Sequence, residues 1–269
     1  MKAKKSFGQH FLTDEGIAKK IAGSLQMSSE IRNVLEVGPG KGVLTKYLMQ
    51  QELNLKVVEA DKDMVAYLIN HYPALEDHII YLDFLKLQLS RVFDGEEFCL
   101  IGNYPYNISS QILFKMVNYC SYVPEMVGMF QKEVADRVIA PPGSRTYGVI
   151  SVLVQAHYTG SQIMKVNPGS FSPPPKVISS VIRLVRKENY TLPCDASLFR
   201  QIVKTTFGQR RKMLRNTLKS MVEDESVLND PFYNERPEQL SVEDFIKLTD
   251  TISKHLKIKT DDAGRKNNE

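Results

Sequence analysis

Apolar and polar positions fall into blocks along the chain, and the blocks predict elements. Thr13-Asp14-Glu15 opens a helix with Ile17, Ile21 and Leu25 on one face. Val34-Leu35-Glu36-Val37 reads as a strand, followed by the turn Gly38-Pro39-Gly40-Lys41-Gly42 and an amphipathic helix through Leu44, Tyr47 and Leu48. Residues 55–59 give the next strand, 64–72 the next helix, and 78–82 a third strand closed by Asp83. The apolar run Phe98-Cys99-Leu100-Ile101-Gly102 predicts a buried strand, 109–119 a helix, 124–130 another strand, and Gln131-Lys132-Glu133 the start of a further helix. This β-α alternation predicts an α/β fold on a mostly parallel, doubly wound sheet.

Beyond the loop Ala140-Pro141-Pro142-Gly143-Ser144, residues 148–156 are apolar and β-branched, and periodicity there does not separate buried helix from strand. Residues 167–176 carry four prolines and predict an extended loop, and 177–185 a final strand. After a linker at 188–195 the period is helical, with Ser241-Val242-Glu243-Asp244 as a capping box before Phe245, Ile246 and Leu248. The expected organisation is a domain over 1–187 with a basic N-terminal segment, a small all-helical C-terminal domain over 188–258, and a polar, disordered tail at 259–269.

A chain of 269 residues accommodates one large domain and one small one. No apolar run approaches a membrane span, and the N-terminal lysines precede no apolar signal segment, so the expectation is a cytoplasmic protein without membrane contact. Cys99, Cys120 and Cys194 are scattered and the five histidines isolated, a pattern that predicts reduced thiols and no metal. The net charge of +4 is ordinary, but residues 200–222 hold Arg200, Lys204, Arg210, Arg211, Lys212, Arg215 and Lys219 and no acid. Such a segment on an otherwise slightly acidic chain points to a polyanion, and Arg211, Arg215 and Lys219 have the i, i+4, i+8 spacing of one helical face.

The chemistry gathers at strand ends. Asn103-Tyr104-Pro105-Tyr106 follows the buried run, where open α/β sheets place their ligand sites. The Asn103 side-chain oxygen and the Tyr104 carbonyl can accept N–H bonds from a flat amino-bearing base, Pro105 fixes the bend, and Tyr106 offers a ring for stacking. The glycine turn at Gly38 and Gly40 lets backbone approach a ligand. It lacks the spacing of a pyrophosphate loop, and Pro39 removes an N–H that a diphosphate would use. Glu59 ends the second strand about 20 residues on, placed for ribose hydroxyls, and Asp83 ends the third, placed for an adenine amino group. Together these predict a site for an adenosine without a diphosphate, such as S-adenosylmethionine. Methyl transfer from a sulfonium is limited mainly by alignment, and acceptors at Asn103 and Tyr104 can expose the lone pair of an adenine amino nitrogen without a strong base. Phe171, before Ser172-Pro173-Pro174-Pro175-Lys176, offers a second aromatic face for a base taken out of a stack.

The set Phe7-Gly8-Gln9-His10-Phe11-Leu12, Val34-Leu35-Glu36-Val37-Gly38-Pro39-Gly40, Gly102-Asn103-Tyr104-Pro105-Tyr106-Asn107-Ile108-Ser109, Gln131-Lys132-Glu133-Val134, Phe171-Ser172-Pro173-Pro174-Pro175-Lys176-Val177 and Phe207-Gly208-Gln209-Arg210-Arg211-Lys212 resembles the KsgA family, the small-subunit ribosomal RNA adenine dimethyltransferases. The resemblance runs from about residue 5 to 256. It implies a Rossmann-like methyltransferase domain with a small helical C-terminal domain. It also implies transfer of two methyls to N6 of each of two adjacent adenines, in a hairpin loop near the 3′ end of the small-subunit RNA, and a part in maturing that subunit. By motif, His10, Leu12, Gly38, Gly40, Glu59, Asp83 and Asn103 would hold S-adenosylmethionine (spent as S-adenosylhomocysteine), and Asn103, Tyr106 and Phe171 the target base. The enzyme would act as a monomer on the immature small subunit. The family commonly has Asn where His10 stands and Leu where Tyr104 stands, and only a backbone carbonyl is asked of the latter position. Large-subunit RNA methylases of the antibiotic-resistance type share the Asn-x-Pro-Tyr and glycine motifs. A non-catalytic RNA-binding assembly factor could keep the same fold.

Overall fold

The computed structural model describes residues 10–257; the expected tail and most of the basic N-terminal segment lie outside them. The chain divides into two compact units. The first takes in residues up to Pro141 together with Leu153–Thr191, and the second Pro142–Val152 together with residues from Leu192 onward. The cut therefore comes four residues later than the sequence implies, and a short internal stretch groups with the C-terminal helices.

In the first unit the elements run β1 (Phe11–Leu12), α1 (Glu15–Ala22), β2 (Asn33–Val37), α2 (Thr45–Leu48), β3 (Asn54–Glu59), α3 (Lys62–His71), β4 (Ile79–Tyr81), β5 (Cys99–Asn103), α4 (Ser109–Asn118), β6 (Glu125–Gln131) and α5 (Lys132–Val138). There follow α6 (Val149–Gln155), within which the two units divide, then β7 (Tyr158–Val166), β8 (Phe171–Ser172) and β9 (Ser179–Arg186). Seven strands form one sheet in the order β4-β3-β2-β5-β6-β9-β7. β4, β3, β2, β5 and β6 are parallel, whereas β9 lies antiparallel to β6 and β7 antiparallel to β9. Residues 148–156 resolve as helix. The strand β7 is absent from the sequence reading because its burial does not alternate and a bulge between Gln162 and Met164 breaks its period. The proline-rich stretch is not simply a loop: a 3₁₀ turn at Pro168–Ser170 leads into β8, which pairs with β1.

The strand order reverses between β2 and β5, so the crevice at their carboxyl ends is the place for a ligand. Its shape depends on a ring. Gly102 of β5 lies opposite Gly128 of β6, and the Tyr104 side chain, 1 % exposed, fills the gap that these two residues leave. A methyl carbon on Gly128 would fall 2.0 Å from the Tyr104 ring, and one on Gly102 would fall 2.7 Å from the Val37 carbonyl oxygen. Phe130 flanks the ring, with centroids 5.0 Å apart. The one charge in β6, Glu125, is fully buried and accepts from the Gln26 and Met27 amides while pairing with Arg183 at 3.2 Å. An apolar strand thus tolerates a carboxylate because every one of these partners is fixed.

The second unit holds α7 (Ala196–Gly208), α8 (Leu214–Leu218) and α9 (Val242–Ser253). The capping box forms as read, with Ser241 accepting from the Asp244 amide and Asp244 from the Ser241 amide. Phe207 lies between Tyr147 and Phe245, at centroid distances of 6.0 and 5.9 Å. The single basic helix face is corrected. α7 ends at Gly208, Met213 is extended (ψ 151), and α8 starts only at Leu214. Arg211 therefore sits in the connection, Arg215 in α8 and Lys219 at its C-cap.

Gly128→Ala should lower stability by more than about 1–3 kcal/mol in urea unfolding, the usual effect of forcing extra carbon into a filled core. Adding Tyr104→Leu should restore part of the loss. A Gly128→Ala chain as stable as the parent would show that the ring does not hold this gap.

Candidate active site

The end of β2 is shaped by glycine. Gly38 and Gly40 have φ of +67° and +55°, and the Phe11 ring lies over Gly40, 3.2 Å from where a methyl carbon would stand. The following helix starts at Thr45, later than the sequence implies, because Gly42 also has positive φ and the chain turns until Leu44. The approach to a ligand is therefore backbone turn, not helix terminus. Glu59, at the end of β3, holds this turn in place. Its Oε2 accepts from the Gly40 amide at 3.2 Å and its Oε1 from the Ala60 and Asp61 amides, each at 2.9 Å. Burial nonetheless raises its pKa, the amides only moderating the effect. Asp83 caps the short turn Phe84–Lys86 through the Leu85 amide at 2.9 Å.

At the end of β5, the Tyr104 amide donates to the Met129 carbonyl at 3.2 Å and continues the ladder one residue past the strand. The Pro105 carbonyl accepts from the Ile108 amide and the Ser109 hydroxyl, fixing the bend. Asn103 Nδ2 donates to the His10 carbonyl at 3.1 Å, which assigns the amide orientation and keeps Oδ1 as an acceptor. The Tyr106 hydroxyl is bonded to Ser179, and the His10 ring stacks on the Tyr106 ring at 5.5 Å. His10 Nδ1 stands 2.8 Å from the Pro173 carbonyl, an acceptor only, so this nitrogen carries the hydrogen.

A cavity of about 820 Å³ opens among these parts. Every residue assigned to the cofactor lines it: His10, Leu12, Gly38, Gly40, Glu59, Asp83 and Asn103. Tyr104, Pro105 and Tyr106 line it too, but Phe171 does not. Phe171 is 4 % exposed and belongs to the core cluster with Leu12, Met129 and Val181; its pairing with Leu12 turns the ring inward, and Ser172 and Pro173 form the wall instead. The seven basic residues lie in the second unit. Of these, Arg210 is a structural clamp, bonded to Glu238 at 2.6 Å and to the Ser144 and Arg145 carbonyls, and Lys219 pairs with Glu225 at 2.9 Å. Lys204, Arg211, Lys212 and Arg215 are exposed and form no ion pair among the described residues.

The sequence reading passed over two participants. Ser179, which anchors Tyr106, carries no signal in the sequence. Glu36 does, as the one carboxylate inside an apolar strand: it lines the cavity, is 1 % exposed, and accepts from the Thr45 hydroxyl at 2.7 Å. Burial is the main cause pushing its carboxyl up to about 8, with Thr45 acting against the shift and Glu59 adding to it. Among the described residues no three His, Cys, Asp or Glu side chains gather as a metal would require.

The fold and the cavity define a class, the Rossmann-like methyltransferases that use S-adenosylmethionine. A crystal structure of a dimethyladenosine transferase from Plasmodium falciparum superposes with a TM-score of 0.73 over 91 % of this chain and 98 % of that one, at 26 % identity. The 23S rRNA methyltransferase ErmE shares the fold, with a TM-score of 0.64 over 89 % of this chain and 99 % of its own, at 24 % identity. The model of the ribosomal RNA adenine dimethylase family matches residues 1–254. The chain is also 54 % identical, over 97 % of its length and 93 % of the relative's, to the ribosomal RNA small subunit methyltransferase A of Phocaeicola vulgatus. It belongs to the ribosomal RNA adenine dimethylase family.

The Glu36 carboxyl makes a prediction about pH. The folded chain keeps this proton to about pH 8, whereas the unfolded chain releases it near the usual 4.5. Stability should therefore fall as pH rises between those values, by at most about 1.4 kcal/mol per pH unit, and level off above them. Glu36→Gln retains an acceptor for Thr45 and should flatten that fall, as read by denaturant unfolding at pH 5 and pH 8. Parallel stability–pH curves for parent and variant would contradict the assignment.

Proposed function

We propose that this enzyme methylates N6 of adenine in small-subunit ribosomal RNA, taking two adjacent adenines of a hairpin loop near the 3′ end to the dimethyl state. S-adenosylmethionine would supply an electrophilic methyl on sulfur and leave as S-adenosylhomocysteine, with no metal needed. The observation that carries the reading is the Asn103 amide. Its nitrogen is committed to the His10 carbonyl, so the oxygen remains to accept an adenine amino hydrogen at the wall of the cavity. The Tyr104 carbonyl is the second acceptor, since that of Pro105 is already engaged. Two acceptors disposed around the amino nitrogen draw its hydrogens away from the ring plane and free the lone pair for in-line attack. Tyr106, fixed by Ser179, gives the base a face to stack on.

Glu59 would take the ribose hydroxyls with lone pairs not spent on the three amides, and Asp83 the adenine amino group of the cofactor. An adenosine fits the cavity because the glycine turn presents bare backbone and no diphosphate cradle. Lys204, Arg211, Lys212 and Arg215 would contact RNA phosphates, with Arg200, Arg210 and Lys219 adding charge nearby in the sequence. The small-subunit substrate is favoured over the large-subunit one by 54 % identity to a protein bearing that name, against 24 % to ErmE. We further assign a monomer acting in the cytoplasm on the immature subunit. No helix among the described residues is long and apolar enough to cross a membrane, in keeping with that assignment.

Asn103→Ala should lower methyl transfer to small-subunit RNA by about 10²-fold or more, because the residue acts by alignment. Dissociation constants for RNA and for S-adenosylmethionine should move little. Turnover near that of the parent would remove Asn103 from the chemistry. The paired reversal Arg211→Glu and Arg215→Glu should weaken RNA binding strongly in a filter assay while cofactor affinity is kept. Equal loss of both would mean misfolding and defeat the phosphate assignment.

A further inference from the structure

A second depression of about 460 Å³ lies at the β4 edge of the sheet. Three cations line it: Lys56, Lys86 and Arg91, with Ile80, Leu82 and Gln88 between them, and no carboxylate takes part in its wall. Lys56 is held there by its own structure. Its ammonium donates to the Val92 carbonyl at 2.6 Å and stands 5.0 Å from the Phe93 ring centroid. Lys86 and Arg91 close the two short turns Phe84–Lys86 and Leu89–Arg91, are exposed, and form no ion pair among the described residues. Asp94 and Glu96 follow closely in the chain, yet neither lines the groove.

Three like charges around one concavity repel each other and focus a positive potential, an arrangement relieved by an anion. Apart from its cations and Gln88, the groove is walled by aliphatic side chains, without a ring to stack a base. It suits a backbone passing across it better than an enclosed nucleotide. Leu82 belongs both to this groove and to the cofactor cavity, so the two adjoin. β4 is three strands from β5 in the sheet order. At ~4.8 Å per strand the groove is roughly 14 Å from the Asn103 strand, well within one turn of a nucleic-acid helix at about 34 Å.

We propose that Lys56, Lys86 and Arg91 form a phosphate track for the RNA substrate on the first unit, additional to the basic residues of the second. The inference rests on the reading that the substrate is RNA. It assigns this edge to backbone flanking the target adenine.

The test compares the full-length parent with Lys86→Glu/Arg91→Glu, using small-subunit RNA over a range of salt. Each lost phosphate contact lowers the slope of log affinity against log salt by about 0.7–0.9, so the double variant should lose about 1 to 2 from that slope and about tenfold or more in affinity at low salt. Affinity for S-adenosylmethionine, urea stability, and turnover at saturating RNA should stay within about twofold. Lys86→Gln/Arg91→Gln should fall between, since it removes the charge without reversing it. An unchanged slope and affinity in the reversal variant would overturn the proposal. So would binding of inorganic phosphate at the groove with the RNA slope unmoved, which would make it a small-anion site. Failure of the parent to methylate small-subunit RNA while still binding it would instead refute the functional reading, and the slope comparison would still decide the groove.

Discussion

A single aromatic ring in a gap between two glycines governs the working end of this protein. Gly102 and Gly128 face each other across β5 and β6, and the Tyr104 ring occupies the space their missing side chains leave. Burying a ring of this size contributes about 1.5–3 kcal/mol. The Tyr104 hydroxyl, however, is buried without a partner among the described residues, which costs about 1–3 kcal/mol. The two effects nearly offset, so the ring is kept for position more than for stability. With the Tyr104 amide on the Met129 carbonyl and the side chain locked, the residues on either side have fixed directions. Asn103 faces the cavity just before it, and Pro105 and Tyr106 line the cavity just after. Where the family commonly has Leu, a tyrosine meets the same demand, because in the proposed reading the position lends the chemistry a backbone carbonyl and gives the core only volume.

The second constraint is electrostatic. Glu36, one residue before the end of β2, and Glu59, at the end of the neighbouring β3, both line one cavity, and burial raises the pKa of each. They resolve the tension differently. Glu59 accepts three amide hydrogens and so becomes the fastener between the glycine turn and the start of α3. Glu36 accepts a hydrogen bond from the Thr45 hydroxyl and keeps its proton near neutrality. The cavity is thus lined by carboxyl groups that burial inclines toward the protonated form, and its glycine turn has no diphosphate cradle.

Much of this was legible in the sequence, for an identifiable reason. Parallel strands in a covered sheet are continuous apolar runs that end at polar residues, so Glu59 and Asn103 could be picked as strand ends and Asp83 as the polar residue shortly after β4, and all three line the cavity. What failed to show were relations between distant segments. Phe171 precedes a rigid proline run like a mounted stacking face, but pairing of β8 with β1 points it into the core. Strand β7 was hidden by its bulge and its irregular burial. Helical spacing joined Arg211 to Arg215 and Lys219, since periodicity assumes an unbroken helix and cannot see the extended Met213 that breaks it. Nor can a linear reading assign Pro142–Val152 to a unit whose other members begin at Leu192.

His10 shows how the site is tied together. Its carbonyl holds the Asn103 amide, its ring lies against Tyr106, and its Nδ1 holds the Pro173 carbonyl beside β8. One residue just ahead of β1 thus touches Asn103, Tyr106 and the loop wall, while Phe11, next to it, covers Gly40. An Asn at this position could supply the same backbone carbonyl, because that contact asks nothing of the side chain. It could not place a ring on Tyr106. The substitution therefore leaves the Asn103 amide where it was and changes what flanks Tyr106, so in the proposed reading its consequence belongs to how the base is seated and not to how its nitrogen is oriented.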